Sequence, residues 1–171
     1  ILVVAKDAPT REGLKKQLSE HSMERVYRAL TLGVPKSGSI QTLYDRHPRS
    51  RLRFTSKTDE GKRAVTHVQV VETFGAGRAA LVECRLETGR THQIRVHLAE
   101  QVGTPLLADW LYGHKPGGED LQAIAAALGR QALHAAVLGF VHPITQATLR
   151  FESPLPADLE AALAALRGLK A

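Results

Sequence analysis

Val65-Thr66-His67-Val68-Gln69-Val70-Val71-Glu72-Thr73, Phe74-Gly75-Ala76-Gly77 and Ala79-Ala80-Leu81-Val82-Glu83-Cys84-Arg85-Leu86-Glu87 read as two strands joined by a tight turn. In the second, Val82, Cys84 and Leu86 face one way while Glu83, Arg85 and Glu87 face the other, the period of two that a strand requires. The glycines between them supply the positive φ angles of a hairpin. The next residues, Thr88-Gly89-Arg90-Thr91-His92-Gln93-Ile94-Arg95-Val96-His97-Leu98, break the strand at Gly89 and open a helix. That helix is expected to start after Thr91, an N-cap residue type, to bury Ile94 and Leu98 and to end at Gly103 and Pro105. A corner of this kind exposes helix N-terminal amides beside two arginines and two histidines, which suits an anion.

Outward from the hairpin, residues Pro35 to Arg63 are rich in Gly, Pro, Ser, Lys and Arg and read as an insertion-like loop with a short strand near Ile40. Glu24 to Val34 alternates as a long strand, placing Tyr27 on the face opposite Leu30 and Leu32. Before it, Pro9 to Glu20 is expected to be a helix and Ile1 to Ala5 a buried strand. On the C-terminal side, a loop at Gly113 to Gly118 precedes a helix from Glu119 to Leu128 closed by Gly129. Strands follow at Leu133 to Val141 and Thr148 to Glu152, the latter with Leu149 and Phe151 inward, then a helix from Pro156 to Arg167. Strands dominate, hairpins recur and helices are few. The expected class is α+β, a largely antiparallel mixed β-sheet with a few flanking helices, in a single domain spanning 1–171.

With 43% hydrophobic and 23% charged residues over 171 positions, the chain is neither disordered nor fibrous in composition. Its apolar runs are too short for a membrane span and none follows a charged leader, so no membrane association is expected. The single cysteine, Cys84, excludes an intramolecular disulfide framework and suits a reducing compartment, so a cytoplasmic location is expected. A net charge of +6 and a pI near 9.8 favour a polyanionic partner. The basic residues are densest in the 35–63 loop, at Arg46, Arg49, Arg51, Arg53, Lys57, Lys62 and Arg63. His92 and His97, five positions apart, lie about 140° apart on a helix and no nearby Cys or acid completes a ligand set, so no metal is expected. Cys84 alternates with Val82 and Leu86 and reads as a core residue.

Residues Glu87 to Leu98 resemble, nearly residue for residue, the third sequence motif of the RluA/RluD-like RNA pseudouridine synthases. Further resemblances follow in the family's order. Arg25-Val26-Tyr27-Arg28-Ala29 is similar to the tyrosine motif, with Arg25 where lysine is usual, and Gly61 to His67 is similar to the Gly-Lys-x-Ala-Val-Thr-His run. Pro105 to Gly113, Gln131 to Ala135 and Phe151 to Asp158 complete the series. The resemblance implies a pseudouridine synthase catalytic domain acting on structured RNA, ribosomal RNA before transfer RNA, as a monomer without cofactor. It implies catalytic roles for Tyr27, beside the flipped base, and for Arg95, the cation partnering a catalytic aspartate. Arg90, His92, Arg49, Arg51, Arg53 and Lys62 are then expected to contact RNA. The aspartate itself has no match here: in the family it lies in a His-Arg-Leu-Asp segment that would fall roughly six residues before Ile1, within a chain reach of about 21 Å. Asp7 follows the first apolar run and Asp109 belongs to another block. The chain, starting at Ile1 rather than Met, is therefore expected to be N-terminally truncated and inactive as given, with Arg95 awaiting its carboxylate; the alternative is a non-catalytic RNA-binding module.

Overall fold

The computed structural model describes residues 1–170. In chain order the elements are α1 (Ala8–Ser19), β1 (Glu24–Leu32), β2 (Gly38–Thr42), β3 (Asp45–Arg46), β4 (Phe54–Thr55), β5 (Ala64–Phe74), β6 (Ala79–Leu86), α2 (Gln93–Glu100), α3 (Glu119–Leu128), β7 (Leu133–Val141), β8 (Thr148–Glu152) and α4 (Ala157–Arg167). Six strands form one sheet in the order β2-β5-β6-β1-β7-β8, every neighbouring pair antiparallel, and β3 pairs with β4 in a small separate ribbon. This is the expected α+β architecture.

Strand β1 lies inside the sheet, paired with β6 on one edge and β7 on the other. Both of its faces are covered, so Ala29 to Leu32 are all buried and the polar alternation of a one-sided strand is lost there. On one face Leu30, Leu32 and Leu81 pack under α3 and α4 through Leu121, Ala125, Leu159, Leu163 and Leu166. On the other, Ala29, Val68, Val82 and Cys84 meet α2 through Ile94 and Leu98, and Tyr27 packs against this second cluster, opposite Leu30 and Leu32 as its register predicts. Burial in this layer pushes the Cys84 thiol up to about 12.

Several sequence expectations are corrected. Ile1 to Ala5 is not a strand: its neighbour β7 already has ladders on both edges, with β1 and β8, so no row of backbone partners is free. The Ile1 ammonium donates to the Ala135 carbonyl at 3.2 Å, Val3 and Ala5 rest against Leu14, Met23 and Phe140, and Leu2 and Val4 stay 84% and 74% exposed. Phe151 is not inward but 48% exposed, because β8 is the sheet's edge strand; its ring meets Phe140, with ring centroids 6.2 Å apart. Thr91 does not cap α2; the cap position belongs to His92, in the left-handed region at φ 60, which turns the chain sharply into the helix. The 35–63 segment carries β2 on the sheet edge as well as the β3–β4 ribbon, where a loop with one short strand was expected. Helix α1, by contrast, has a conventional start, with the Asp7 side chain accepting from the Thr10 amide at 2.7 Å. Gly129 closes α3 at φ 68 as anticipated. Among the described residues no helix is long and apolar enough to cross a membrane.

Leu98 is wholly buried where α2 meets the sheet. Truncation by Leu98→Ala is expected to lower unfolding stability by about 2–5 kcal/mol, read as a reduced urea midpoint at unchanged slope.

Candidate functional site

The β6–α2 corner is built around Gln93, a buried side chain whose carboxamide joins the 88–90 turn to β5. Its Oε1 accepts from the Arg90 amide at 3.0 Å and from the Thr88 hydroxyl at 2.7 Å. Its Nε2 donates to the Val65 carbonyl and the Thr66 hydroxyl, both at 2.9 Å. Thr88 in turn accepts from the Val65 amide at 2.8 Å. Both ring nitrogens of His97 are engaged by hydroxyls, Nδ1 with Thr66 at 2.9 Å and Nε2 with Thr42 at 3.0 Å, a pattern that the neutral ring, with one donor and one acceptor, satisfies. His97 is thus held neutral, and burial lowers its pKa to about 4. The turn 88–92 and the first turn of α2 are fastened to β5 and β2 before any ligand arrives.

In the first turn of α2, Arg95 already holds a carboxylate of this chain. Its Nε and Nη2 form a bidentate pair with Asp109, both at 2.7 Å, and the carboxylate is fully buried. Asp109 Oδ1 also accepts from the amides of Leu111 and Tyr112 at 3.1 Å each. Burial alone would raise the Asp109 pKa, but Arg95 and these two amides more than reverse it, so the group sits below its ordinary value. Sequence position alone gave no reason to join residues 95 and 109; both lay in recognised blocks, but the pairing is a long-range contact. The Arg95 guanidinium also stacks over the Tyr112 ring at 5.0 Å, and Arg53 does so at 5.2 Å. The Tyr112 hydroxyl accepts from the Phe54 amide at 2.9 Å and shares a hydrogen bond with His92 Nδ1 at 3.0 Å. Burial, then the charge of Arg95, depresses the His92 pKa. His92 stands edge-on to Phe54 and Tyr112, so the β3–β4 ribbon is docked on the corner through aromatic rings.

The remaining expected residues divide. Arg53 is half-buried in this aromatic cluster, whereas Arg49, Arg51 and Lys62 are exposed. Arg90 reaches back to the Arg63 carbonyl through Nε and Nη2, both at 3.1 Å. Tyr27 is half-buried on the sheet face that carries α2, so it and the helix bearing Arg95 share one side of the sheet. Its pKa is raised by burial, partly countered by Arg25. Ile1 is bonded to Ala135, the β7 partner of Tyr27, so the first residue lies near the tyrosine, within roughly 10 Å by strand geometry. Gln93, Tyr44, Tyr112 and Arg25 were given no role from the sequence, since only packing reveals their partners. Among the described residues no three His, Cys, Asp or Glu side chains converge as metal ligands.

A buried threonine–glutamine–histidine corner on an antiparallel sheet, with an arginine-bearing helix and a tyrosine strand on one face, coincides with a match of residues 1–100 to the family described as RNA pseudouridylate synthase. The chain belongs to that family. Among its relatives, the ribosomal large subunit pseudouridine synthase D of Neisseria meningitidis serogroup B is 44% identical over 98% of this chain and 45% of its own length. RNA pseudouridine synthase 2, chloroplastic, of Arabidopsis thaliana is 38% identical over 98% of this chain and 44% of its own. The chain therefore spans about half the length of the curated relatives it matches. Among solved structures, human RNA pseudouridylate synthase domain containing 1 superposes with a TM-score of 0.70 at 22% identity, covering 98% of this chain and 75% of that one, a likeness of fold.

Two titrations act on stability in succession. Unfolded His97 takes up a proton below about pH 6.5 while the folded one resists to about 4, so stability falls as pH drops through that window, by on the order of 3 kcal/mol. Asp109, depressed in the fold, contributes stability that is present above its unfolded value of about 3.9 and lost as pH falls below it. Urea unfolding from pH 7 to pH 3 is expected to show both declines, and His97→Gln to flatten only the first.

Proposed function

We propose that this chain supplies the base-holding part of an enzyme that isomerises specific uridines to pseudouridine in ribosomal RNA. The family match over residues 1–100 carries the reading, and the pre-assembled corner around Gln93 supports it. The reaction detaches uracil from C1′ of its ribose, turns it and rejoins it through C5, so the nucleotide must leave its stack and enter a pocket. Tyr27 stacks on the flipped base and assists removal of the C5 proton. Arg95, anchored by Asp109, presents its remaining nitrogen, Nη1, as the cation facing the reacting carboxylate. No metal or organic cofactor enters this chemistry.

The carboxylate that acts at C1′ or C2′ comes from outside residues 1–171 in this reading. Asp109 is disqualified by its surroundings, since both oxygens are engaged and the side chain is fully buried, while Asp7 caps α1. Loss of the C5 proton gives a direct assay, release of tritium from 5-tritiated uridine in an rRNA fragment. The 171-residue chain is expected to release none, and a longer chain including the family's His-Arg-Leu-Asp segment to release it. Changing that aspartate to asparagine, or making Tyr27→Phe in the longer chain, should abolish release while RNA is still bound. Tritium release by the 171 residues alone would sink the assignment of the missing carboxylate. If the longer chain also binds RNA without release, the non-catalytic module is the correct reading.

Arg49 and Arg51 project from the β3–β4 ribbon into solvent and suit phosphate contacts that position RNA without reading its sequence. Replacing both with Gln is expected to lower the slope of log affinity against log salt by about two, with little effect on the thermal midpoint. An unchanged slope would mean that the ribbon is only a solvated loop.

A further inference from the structure

Between the C-terminal end of α1 and the Gly89 corner lies a cavity of about 420 Å³ whose charged lining is entirely basic: Lys15, His21, Arg25 and Arg90. Arg25 is the unusual member. It is 9% exposed, yet among the described residues no carboxylate lies within ion-pair distance of it. Its Nη2 donates to the carbonyls of Leu86, at 3.3 Å, and Glu87, at 2.7 Å, and its buried Nε has no partner. The Glu87 carboxylate is turned away to Arg63 and His67. Among the described residues the Arg90 guanidinium is bonded only to the Arg63 carbonyl.

Elsewhere in the chain, Arg78 has Asp120, Arg95 has Asp109, Arg130 has Asp158, Arg150 has Glu24 and Arg167 has Glu72, while Arg53, whose Nε is likewise buried without a partner, stacks on the Tyr112 ring. A buried guanidinium bonded to carbonyls alone keeps its full charge uncompensated, an arrangement that costs stability unless an anion completes it. Lys15 is partly balanced by Glu12, so Arg25 and Arg90 dominate the field of the cavity. Gly89 keeps the mouth clear: a Cβ there would come within 2.5 Å of Arg25 Nη1.

We propose that this cavity binds one backbone phosphate of the substrate RNA, with Arg25 and Arg90 as its two ligands. Paired guanidinium forks match the geometry of phosphate oxygens. The site is distinct from the exposed arginines of the ribbon, and because Arg25 stands two residues from Tyr27 on β1, the phosphate is gripped beside the place of the flipped base rather than within it. The assignment rests on the RNA reading of the preceding section.

The test is equilibrium binding of an rRNA stem-loop by the chain across a salt series, with Arg25→Gln, Arg25→Lys and Ser19→Asp. Ser19 lines the cavity from the exposed end of α1, so an aspartate there offers Arg25 an internal counterion while leaving the core untouched. Arg25→Gln and Ser19→Asp should each weaken binding about tenfold and lower the salt slope by about one, while Arg25→Lys stays closer to the wild type. Inorganic phosphate, compared with chloride at equal ionic strength, should raise the thermal midpoint of the wild type and not of Ser19→Asp. Should Arg25→Gln fail to fold, Ser19→Asp and the phosphate comparison still decide. Normal RNA binding by the wild type with an unchanged slope in Ser19→Asp overturns the phosphate site and leaves the RNA reading standing. A wild-type chain that binds no RNA overturns that reading and this assignment with it.

Discussion

The Gln93 carboxamide sits where β5, the end of β6 and the start of α2 converge, and its two polar atoms are shared among four partners with no access to water. Inside a protein each of those partners, left alone, costs about 1–3 kcal/mol, so the network has one satisfied arrangement and a steep penalty for departing from it. That arrangement fixes the angle at which α2 leaves the sheet. The directions of Arg90, His92 and Arg95 follow from it, and so does the place of the aromatic cluster that docks the basic ribbon. These side chains are carried on a corner whose own freedom has been removed.

Arg95 and Asp109 extend the same logic outward. The pair ties α2 to the 109–112 turn, and through Tyr112 the turn holds His92 and the backbone of Phe54. Arg53 is drawn into this assembly by stacking and so is part of its packing, whereas its neighbours Arg49 and Arg51 remain in solvent. A dense run of basic residues in sequence thus separates in space into a structural cation and free ones, which composition cannot distinguish.

What the sequence made legible was periodic or local. The β5–β6 hairpin shows its alternation and its glycines, α3 shows its closing Gly129, and the face of Tyr27 follows from counting along β1. The ordered motifs carried the family. What could not be read depends on which neighbours are already taken. Ile1 to Ala5 has a strand's composition but finds β7 paired on both edges, and Phe151 alternates correctly on a strand whose outer flank nothing covers. The start of α2 was misplaced because His92, rather than a capping hydroxyl, makes the turn by adopting a left-handed conformation. The Arg95–Asp109 pair and the uncompensated Arg25 emerge only once distant segments are brought together.

The position of β1 sets the order in which the fold can be completed. It precedes the other described strands in the chain, yet it lies inside the sheet between β6 and β7, and β7 does not begin until Leu133. During synthesis, at ~5–20 residues per second, its second edge waits on the order of ten seconds after its own last residue, with Leu30 and Leu32 lacking the helices that will cover them. Few of the sheet's pairings are local, which slows closure further. A nascent chain therefore passes through a stage in which this inner strand is half-paired, and it is there, rather than in the finished molecule, that a chaperone or a neighbouring copy would find it.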